Sequence, residues 1–204
     1  MPVKLGILGG TFNPPHLGHL VCAQESHLQL GLDRVLIIPA RTPPHKPVPD
    51  EPGIEHRLAL CRAAISDDTE RFEVSDLEAR REGPSYTVDT LKELRSAMLD
   101  SELFLIVGAD VAVGFPGWRE PAEVLSLATL AVAGRPGTDR GSIERALAQV
   151  EGGDRARFFD MPEIGVSSTM IRDRVRRGEP TRYFTPEAVR AYVDRHGLYT
   201  GGEQ

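Results

Sequence analysis

Short apolar runs alternate along the chain with longer stretches in which apolar positions recur at helical spacing. Residues 3–8 (VKLGIL), 34–38 (RVLII), 103–107 (LFLIV) and 129–133 (TLAVA) read as strands, and 156–160 (ARFFD) as a weaker fifth. Compact runs of this kind suit a parallel sheet covered on both faces. Helical patterns fall between them, at about 16–30, 55–66, 86–98, 118–127 and 142–151. The rhythm predicts an α/β fold with a doubly wound, mostly parallel sheet and ligands at the carboxyl ends of its strands. Two C-terminal helices follow. One spans 167–178, with Ser167 or Ser168 as cap and Gly178 as stop. The other spans 185–197, with Thr185 as N-cap, Pro186 in the first turn and Gly197 just past the end. Residues 1–204 read as a single domain whose C-terminal part, about 166–200, is helical. The stretch 39–53 (PARTPPHKPVPDEPG) holds six prolines, which predicts a long loop after the second strand. Loops in that position commonly carry function.

Composition narrows the function. The 204 residues carry a formal charge of −6, which argues against a broad nucleic-acid-binding surface but leaves room for a local basic pocket. Cys22 and Cys61 are too few for a disulfide scaffold or a cysteine-only zinc site. No run approaches the roughly 20 apolar residues that span a bilayer, and the first residues lack a signal-peptide pattern. The expectation is a cytoplasmic protein without membrane or nucleic-acid partners, with a homo-oligomer left open.

The first strand ends in GILGGTFNPPHLGH, residues 6–19. Gly9 and Gly10 permit a sharp turn and close approach of a ligand. Asn13 can cap a helix, with Pro14 and Pro15 tolerated in its first turn. The helix start then offers N–H groups and a positive dipole end to an anion. His16 and His19 share one face of that helix. They fit phosphate contacts, acid–base groups or packing residues. Cys22 continues the spacing, but it lies about 120° around the helix from His16, which disfavours a common metal ion. Far downstream, VSSTMIR (166–172) offers Ser167, Ser168 and Thr169 at a helix start and Arg172 one turn on. Taken alone, it also fits a capped surface helix with a solvated charged face.

The combination is more specific than its parts. GGTFNPPHLGH resembles the HxGH signature of the nucleotidyltransferase superfamily of adenylyl- and cytidylyltransferases, and VSSTMIR resembles its ISSTxIR motif, with Val166 where Ile is usual. Between them lie PHK in the long loop, SYTVDT at 85–90, GAD at 108–110 followed by Trp118, and Arg135 after the next strand. In that order they resemble the bacterial type of nicotinate-nucleotide adenylyltransferase. The resemblance implies a Rossmann-like nucleotidyltransferase fold and transfer of AMP from ATP to nicotinate mononucleotide, giving deamido-NAD and pyrophosphate. It implies ATP contacts from Gly9, Gly10, Thr11, Phe12, His16, His19, Ser167, Ser168, Thr169 and Arg172. Of these, His16, His19 and Arg172 would stabilise charge in the reaction. It places Tyr86 and Thr87 on the nicotinate carboxylate, Trp118 on the pyridine ring, and Lys46, Asp110 and Arg135 near the mononucleotide. Mg²⁺ is expected to arrive with ATP, held by the triphosphate and water without a protein cage.

Overall fold

The computed structural model describes residues 2–44, 48 and 50–201. The chain begins β1 (Lys4–Gly10), α1 (Leu17–Leu30), β2 (Arg34–Pro39), α2 (Ile54–Ala64), β3 (Phe72–Val74), α3 (Leu77–Arg80) and α4 (Thr87–Ala97). It continues with β4 (Glu102–Gly108), α5 (Ala109–Val113), α6 (Pro121–Leu127), β5 (Thr129–Gly134), α7 (Arg140–Leu147) and β6 (Arg157–Asp160). It closes with α8 (Ser168–Arg176) and α9 (Glu187–His196). Short 3-10 turns at Phe115–Gly117 and Gly153–Arg155 complete the description. Among the described residues the strands form one six-stranded sheet in the order β3-β2-β1-β4-β5-β6. Each neighbouring pair is parallel. The strand order reverses between β1 and β4, and such a switch point leaves a crevice at the carboxyl ends of the strands.

Alternation along the strands divides the core. Leu5, Ile7, Leu36, Ile38, Leu103, Leu105, Leu130 and Val132 point to one face, under α4 to α7. Leu8, Val35, Ile37, Ile106, Ala131 and Ala133 point to the other, under α1 and α2. This is the period of two that strands impose, with both faces buried. Gly6 breaks the apolar run of β1 for a steric reason. A Cβ there would lie 2.8 Å from Leu32 Cδ1 and 2.9 Å from Ile106 Cδ1. Leu60 turns away from the sheet and packs with Val189, Val193, Leu198 and Tyr199, which seats α9 on the outer side of α2.

The expected doubly wound parallel sheet is present, with several boundaries moved. β3 and α3 were not predicted, because three and four residues are too short to show a period. The helix expected at 118–127 starts at Pro121; Glu120 takes a left-handed φ of 50°, so Trp118 and Arg119 precede it. The helix expected at 142–151 starts at Arg140, because the Asp139 side chain accepts from the Ser142 N–H. Asn13 is not a cap. Its peptide to Pro14 is cis, the helix begins at Leu17, and its Oδ1 accepts from Tyr199 Oη at 2.7 Å. Thr185 is not the cap of α9 either; Pro186 takes that position, and the Thr185 hydroxyl bonds elsewhere.

Gly153 sets up a stability test. A Cβ there would lie 2.0 Å from the carbonyl oxygen of Leu147, a backbone atom with little room to yield. Gly153→Ala is expected to lower the unfolding free energy by about 2–3 kcal/mol in chemical denaturation. A change within about 0.5 kcal/mol, the range of ordinary surface substitutions, would contradict the packing at this turn.

Candidate active site

The segment after β1 is held by its carbonyl oxygens. Gly10 O accepts from the Ala40 N–H at 2.9 Å. Thr11 O accepts from Arg57 Nη1 at 3.1 Å, and Asn13 O from Arg172 Nη1 at 2.8 Å. Pro14 O accepts from Ser168 Oγ at 2.8 Å, and Pro15 O from Thr185 Oγ1 at 2.8 Å. Arg57, Arg172 and Thr185 are 1%, 4% and 4% exposed, so these oxygens point into the fold. An anion approaching the strand end is thereby spared their partial negative charge. At Gly9, on the same strand end, a Cβ would meet nothing within 4 Å, so the backbone there is open to a ligand.

His16 and His19 act as a stacked pair. Their ring centroids are 3.7 Å apart with planes 28° from parallel. His16 is the N-cap of α1, and its N–H donates to His19 Nδ1 at 3.2 Å. That bond places the proton of neutral His19 on Nε2. Phe12 sets its ring edgewise to His19, with centroids 4.9 Å apart. Phe12 is 1% exposed, so its ring supports His19 from within the core. Gly18 lets the His16 ring fold over the helix start; a Cβ there would sit 3.1 Å from His16 Cε1 and Nδ1.

Burial, with help from the Arg135 charge, lowers His16 to about 4. Burial and then the His16 charge lower His19 to about 3. Both imidazoles are therefore neutral at pH 7 in the free protein. His16 Nδ1 is buried with no hydrogen-bond partner among the described residues. The helix start offers less than the sequence suggests, because the Leu17 N–H already donates to Phe184 O at 3.1 Å and the His16 N–H to His19. Burial pushes Cys22 up to about 12 and Cys61 higher still, so both remain thiols. Among the described residues no three His, Cys, Asp or Glu side chains are placed to hold a metal ion.

The fold brings the 166–172 segment onto this loop across the length of the chain. Ser167 caps α8, its Oγ accepting from the Met170 N–H. Ser168 reaches Pro14, 154 positions away in sequence. Arg172 spans the junction: Nη1 holds Asn13 O, Nη2 reaches Thr169 Oγ1 at 3.4 Å, and Nε meets Asp50 Oδ2 at 3.0 Å. Arg176 donates to the same Asp50 oxygen, and the bonds from Arg176 and Arg172 hold that carboxyl below its ordinary value. An anionic group already bridges Arg172 and Arg176 of α8.

Of the residues expected on the acceptor side, Asp110 and Arg135 follow β4 and β5, Tyr86 and Thr87 open α4, and Trp118 follows the 3-10 turn at Phe115–Gly117. Tyr86 is the N-cap of α4, and Thr87 opens its first turn. The Tyr86 N–H donates to Pro84 O at 3.1 Å, whereas a first-turn N–H such as that of Thr87 has no partner within its own helix. Ser85 ties this start to the long loop, its Oγ accepting from the N–H groups of Arg41 and Thr42 at 3.1 and 3.3 Å. Trp118 is half-buried, its ring 5.2 Å from that of Phe115. Asp110 is exposed at the end of β4, and its Oδ1 occupies the space that a Cβ on Gly108 would need, at 2.7 Å. Arg135 is exposed after β5, close enough for its charge to act on His16 and Cys22. Lys46 lies outside the described residues.

Arg57 is the important residue that the pattern hides. It sits in IEHRLALCRAA, where a charged residue reads as the polar face of α2, yet it is among the largest fully buried side chains. Its guanidinium holds Thr11 O, Ala40 O at 2.7 Å and Arg41 O at 3.3 Å, and pairs with Glu51 at 2.8 Å. No local signal in the sequence marks it, because all these partners are brought to it by tertiary folding.

The chain is similar to known proteins over nearly its whole length. Residues 7–174 match the family model described as cytidylyltransferase-like. A protein of Roseiflexus sp. (strain RS-1) is 46% identical over 197 residues, covering 96% of this chain and 97% of its own. One of Desulfitobacterium hafniense (strain Y51) is 43% identical over 200 residues, covering 97% and 96%. Both bear the name "Probable nicotinate-nucleotide adenylyltransferase". A solved structure of Plasmodium falciparum nicotinic acid mononucleotide adenylyltransferase complexed with NaAD shares the fold, with a TM-score of 0.77, 16% identity and 98% coverage of each chain. With the loop after β1, the stacked histidines and these relatives in place, the chain belongs to the cytidylyltransferase-like family, among the nicotinate-nucleotide adenylyltransferases.

Proposed function

We propose that this protein transfers AMP from ATP to nicotinate mononucleotide, giving deamido-NAD and pyrophosphate. The observation that carries the reading is the junction of the opening loop with α8, where Ser168 and Arg172 hold the carbonyls of Pro14 and Asn13 beside the paired histidines. The full-length similarity to nicotinate-nucleotide adenylyltransferases supports the choice of reaction.

The chemistry asks little of the protein. A phosphate oxygen of the mononucleotide, already ionised at neutral pH, attacks the α-phosphorus of ATP. The bond to pyrophosphate breaks as the new phosphoanhydride bond forms. No protein nucleophile or general base is required, so catalysis is alignment plus stabilisation of charge. In our reading, Gly9, Gly10 and Thr11 let the triphosphate lie against the end of β1, with Phe12 bracing His19. The Nε2–H of His19 and the His16 imidazole donate to phosphate oxygens. A bound polyanion raises both imidazole pKa values from their low resting positions, and each proton then gained adds positive charge where it is needed.

Arg172 donates to β- and γ-phosphate oxygens in place of Asp50, with Ser167, Ser168 and Thr169 around it. Mg²⁺ enters with ATP as part of the substrate and neutralises triphosphate charge. The described residues offer no acidic cluster to hold it apart from the nucleotide. On the acceptor side, the start of α4 at Tyr86 and Thr87 takes the nicotinate carboxylate, where the helix dipole favours negative charge. Trp118 stacks on the pyridine ring, and Lys46, Asp110 and Arg135 surround the ribose phosphate.

The direct test mixes ATP and Mg²⁺ with nicotinate mononucleotide, nicotinamide mononucleotide or phosphopantetheine and follows pyrophosphate release. Release is expected to be fastest with nicotinate mononucleotide. No release with that acceptor would falsify the assignment.

His19→Ala is expected to lower kcat by about a hundredfold to a thousandfold while the protein still folds. Its acid stability should change as well. The folded-state values of His16 and His19 lie below 6.5, so the unfolded chain holds more protons between those values and 6.5. Stability is therefore lost as pH falls below 6.5, and His19→Ala should make that loss shallower. A near-normal kcat, or an unchanged acid slope, would count against the role given to this imidazole.

A further inference from the structure

Arg119 stands beside the start of α4, over the ring of Tyr86. It follows Trp118 in a short bend ahead of α6. Its guanidinium carbon lies 4.6 Å from the centre of the Tyr86 ring. Tyr86 is the N-cap of α4 and Asp89 lies in the first turn, so the guanidinium spans that helix start. Arg119 Nη1 is 4.0 Å from Asp89 Oδ2, and Nε is 3.4 Å from Glu120 Oε1. Both separations exceed the roughly 2.7–2.9 Å of a charge-assisted hydrogen bond. Glu120 is also shared with Lys92, whose Nζ lies 3.0 Å from its other oxygen. A guanidinium stacked on an aromatic face keeps its N–H groups in its own plane, directed outward. The side chain is 50% exposed, so those N–H groups can meet a ligand.

We propose that Arg119 is a specificity-determining residue that selects an acceptor bearing a carboxylate on its pyridine ring. The inference rests on the adenylyltransferase reading above, which puts that carboxylate at the start of α4. Two physical effects follow from the placement. The planar guanidinium offers paired donors to a planar carboxylate, and a neutral carboxamide gains less from them. The same cation offsets the charge of Asp89, which would otherwise face the incoming carboxylate as a like charge from the first turn. Removing Arg119 therefore weakens attraction and uncovers repulsion together, and both act on nicotinate mononucleotide far more than on nicotinamide mononucleotide. The dipole of α4 favours the carboxylate without any arginine; Arg119 adds a side-chain contribution that can be removed separately.

The experiment compares the parent protein, Arg119→Gln and Arg119→Lys in pyrophosphate release, with each of the two mononucleotides and saturating MgATP. For Arg119→Gln the expected result is a loss of about tenfold or more in kcat/KM for nicotinate mononucleotide, carried mainly by KM. Its kcat/KM for nicotinamide mononucleotide should be unchanged or raised, so the preference narrows. Arg119→Lys keeps the charge without the planar fork and should retain an intermediate preference. Thermal unfolding checks that the exposed substitution leaves the fold intact.

If the preference of Arg119→Gln equals that of the parent, the inference is wrong even though the adenylyltransferase reading stands. That includes the case in which turnover of both acceptors falls together, as it would if Arg119 only pinned α6 to α4. If the parent fails to use nicotinate mononucleotide, the underlying reading fails first, and the inference falls with it.

Discussion

The guanidinium of Arg57 donates to the carbonyl of Thr11, and the guanidinium of Arg172 donates to the carbonyl of Asn13. Around them, Ala40, Ser168 and Thr185 hold the carbonyls of Gly10, Pro14 and Pro15. A segment meant to lie against a polyanion cannot leave carbonyl oxygens facing it. Proline contributes no N–H, so the Pro14–Pro15 pair presents acceptors only, and both oxygens must be satisfied elsewhere. The donors that satisfy them come from α8 and the approach to α9, while α2 supplies the donor to Thr11. The C-terminal helices, remote in sequence from the first strand, are therefore part of the wall behind the loop, and Tyr199 extends the wall by bonding to the Asn13 side chain.

Both buried arginines also answer to the far end of the long loop after β2. Glu51 pairs with Arg57, and its neighbour Asp50 pairs with Arg172 and Arg176. Ala40 and Arg41, at the near end of that loop, give their carbonyls to Arg57. The two ends of the loop and the segment after β1 are thus fixed to the same cations. The carboxylates are part-exposed, but losing one leaves a buried guanidinium without its counter-charge, so these contacts enforce a single arrangement more than they add stability. Ser85 carries the linkage on to α4 by holding the N–H groups of Arg41 and Thr42. The proposed nucleotide side and the proposed acceptor side are in this way parts of one framework.

Much of this was legible in the sequence, and the limits are physical. The central strands were readable because a strand buried on both faces is apolar along its whole length, as in Leu103–Val107 and Val35–Ile38. β3 was not, because Phe72–Val74 is too short to display a period. Asn13 has the chemistry of a cap, yet a tyrosine from the other end of the chain claims its side chain. Trp118 and Arg119 look like the opening of a helix, but the left-handed Glu120 and the following Pro121 delay it. The phosphate-type motifs were readable through their resemblance to a known family, because each stretch alone also fits packing residues or a capped surface helix. Their mutual support was hidden. Arg57 and Thr185 act through oxygens brought near only by folding, and Arg172 reads as a ligand contact although one of its donors already holds the loop.

The account depends most on the claim that donors behind the loop, and not the loop alone, create the nucleotide site. The affinity of Arg57→Met for MgATP, measured calorimetrically without acceptor on the folded variant, tests this directly. Met fills much of the space and removes the donors to Thr11, Ala40 and Arg41. The account predicts binding weaker by about tenfold or more, the scale of losing a hydrogen bond from a charged group. An affinity equal to that of the parent protein would contradict it.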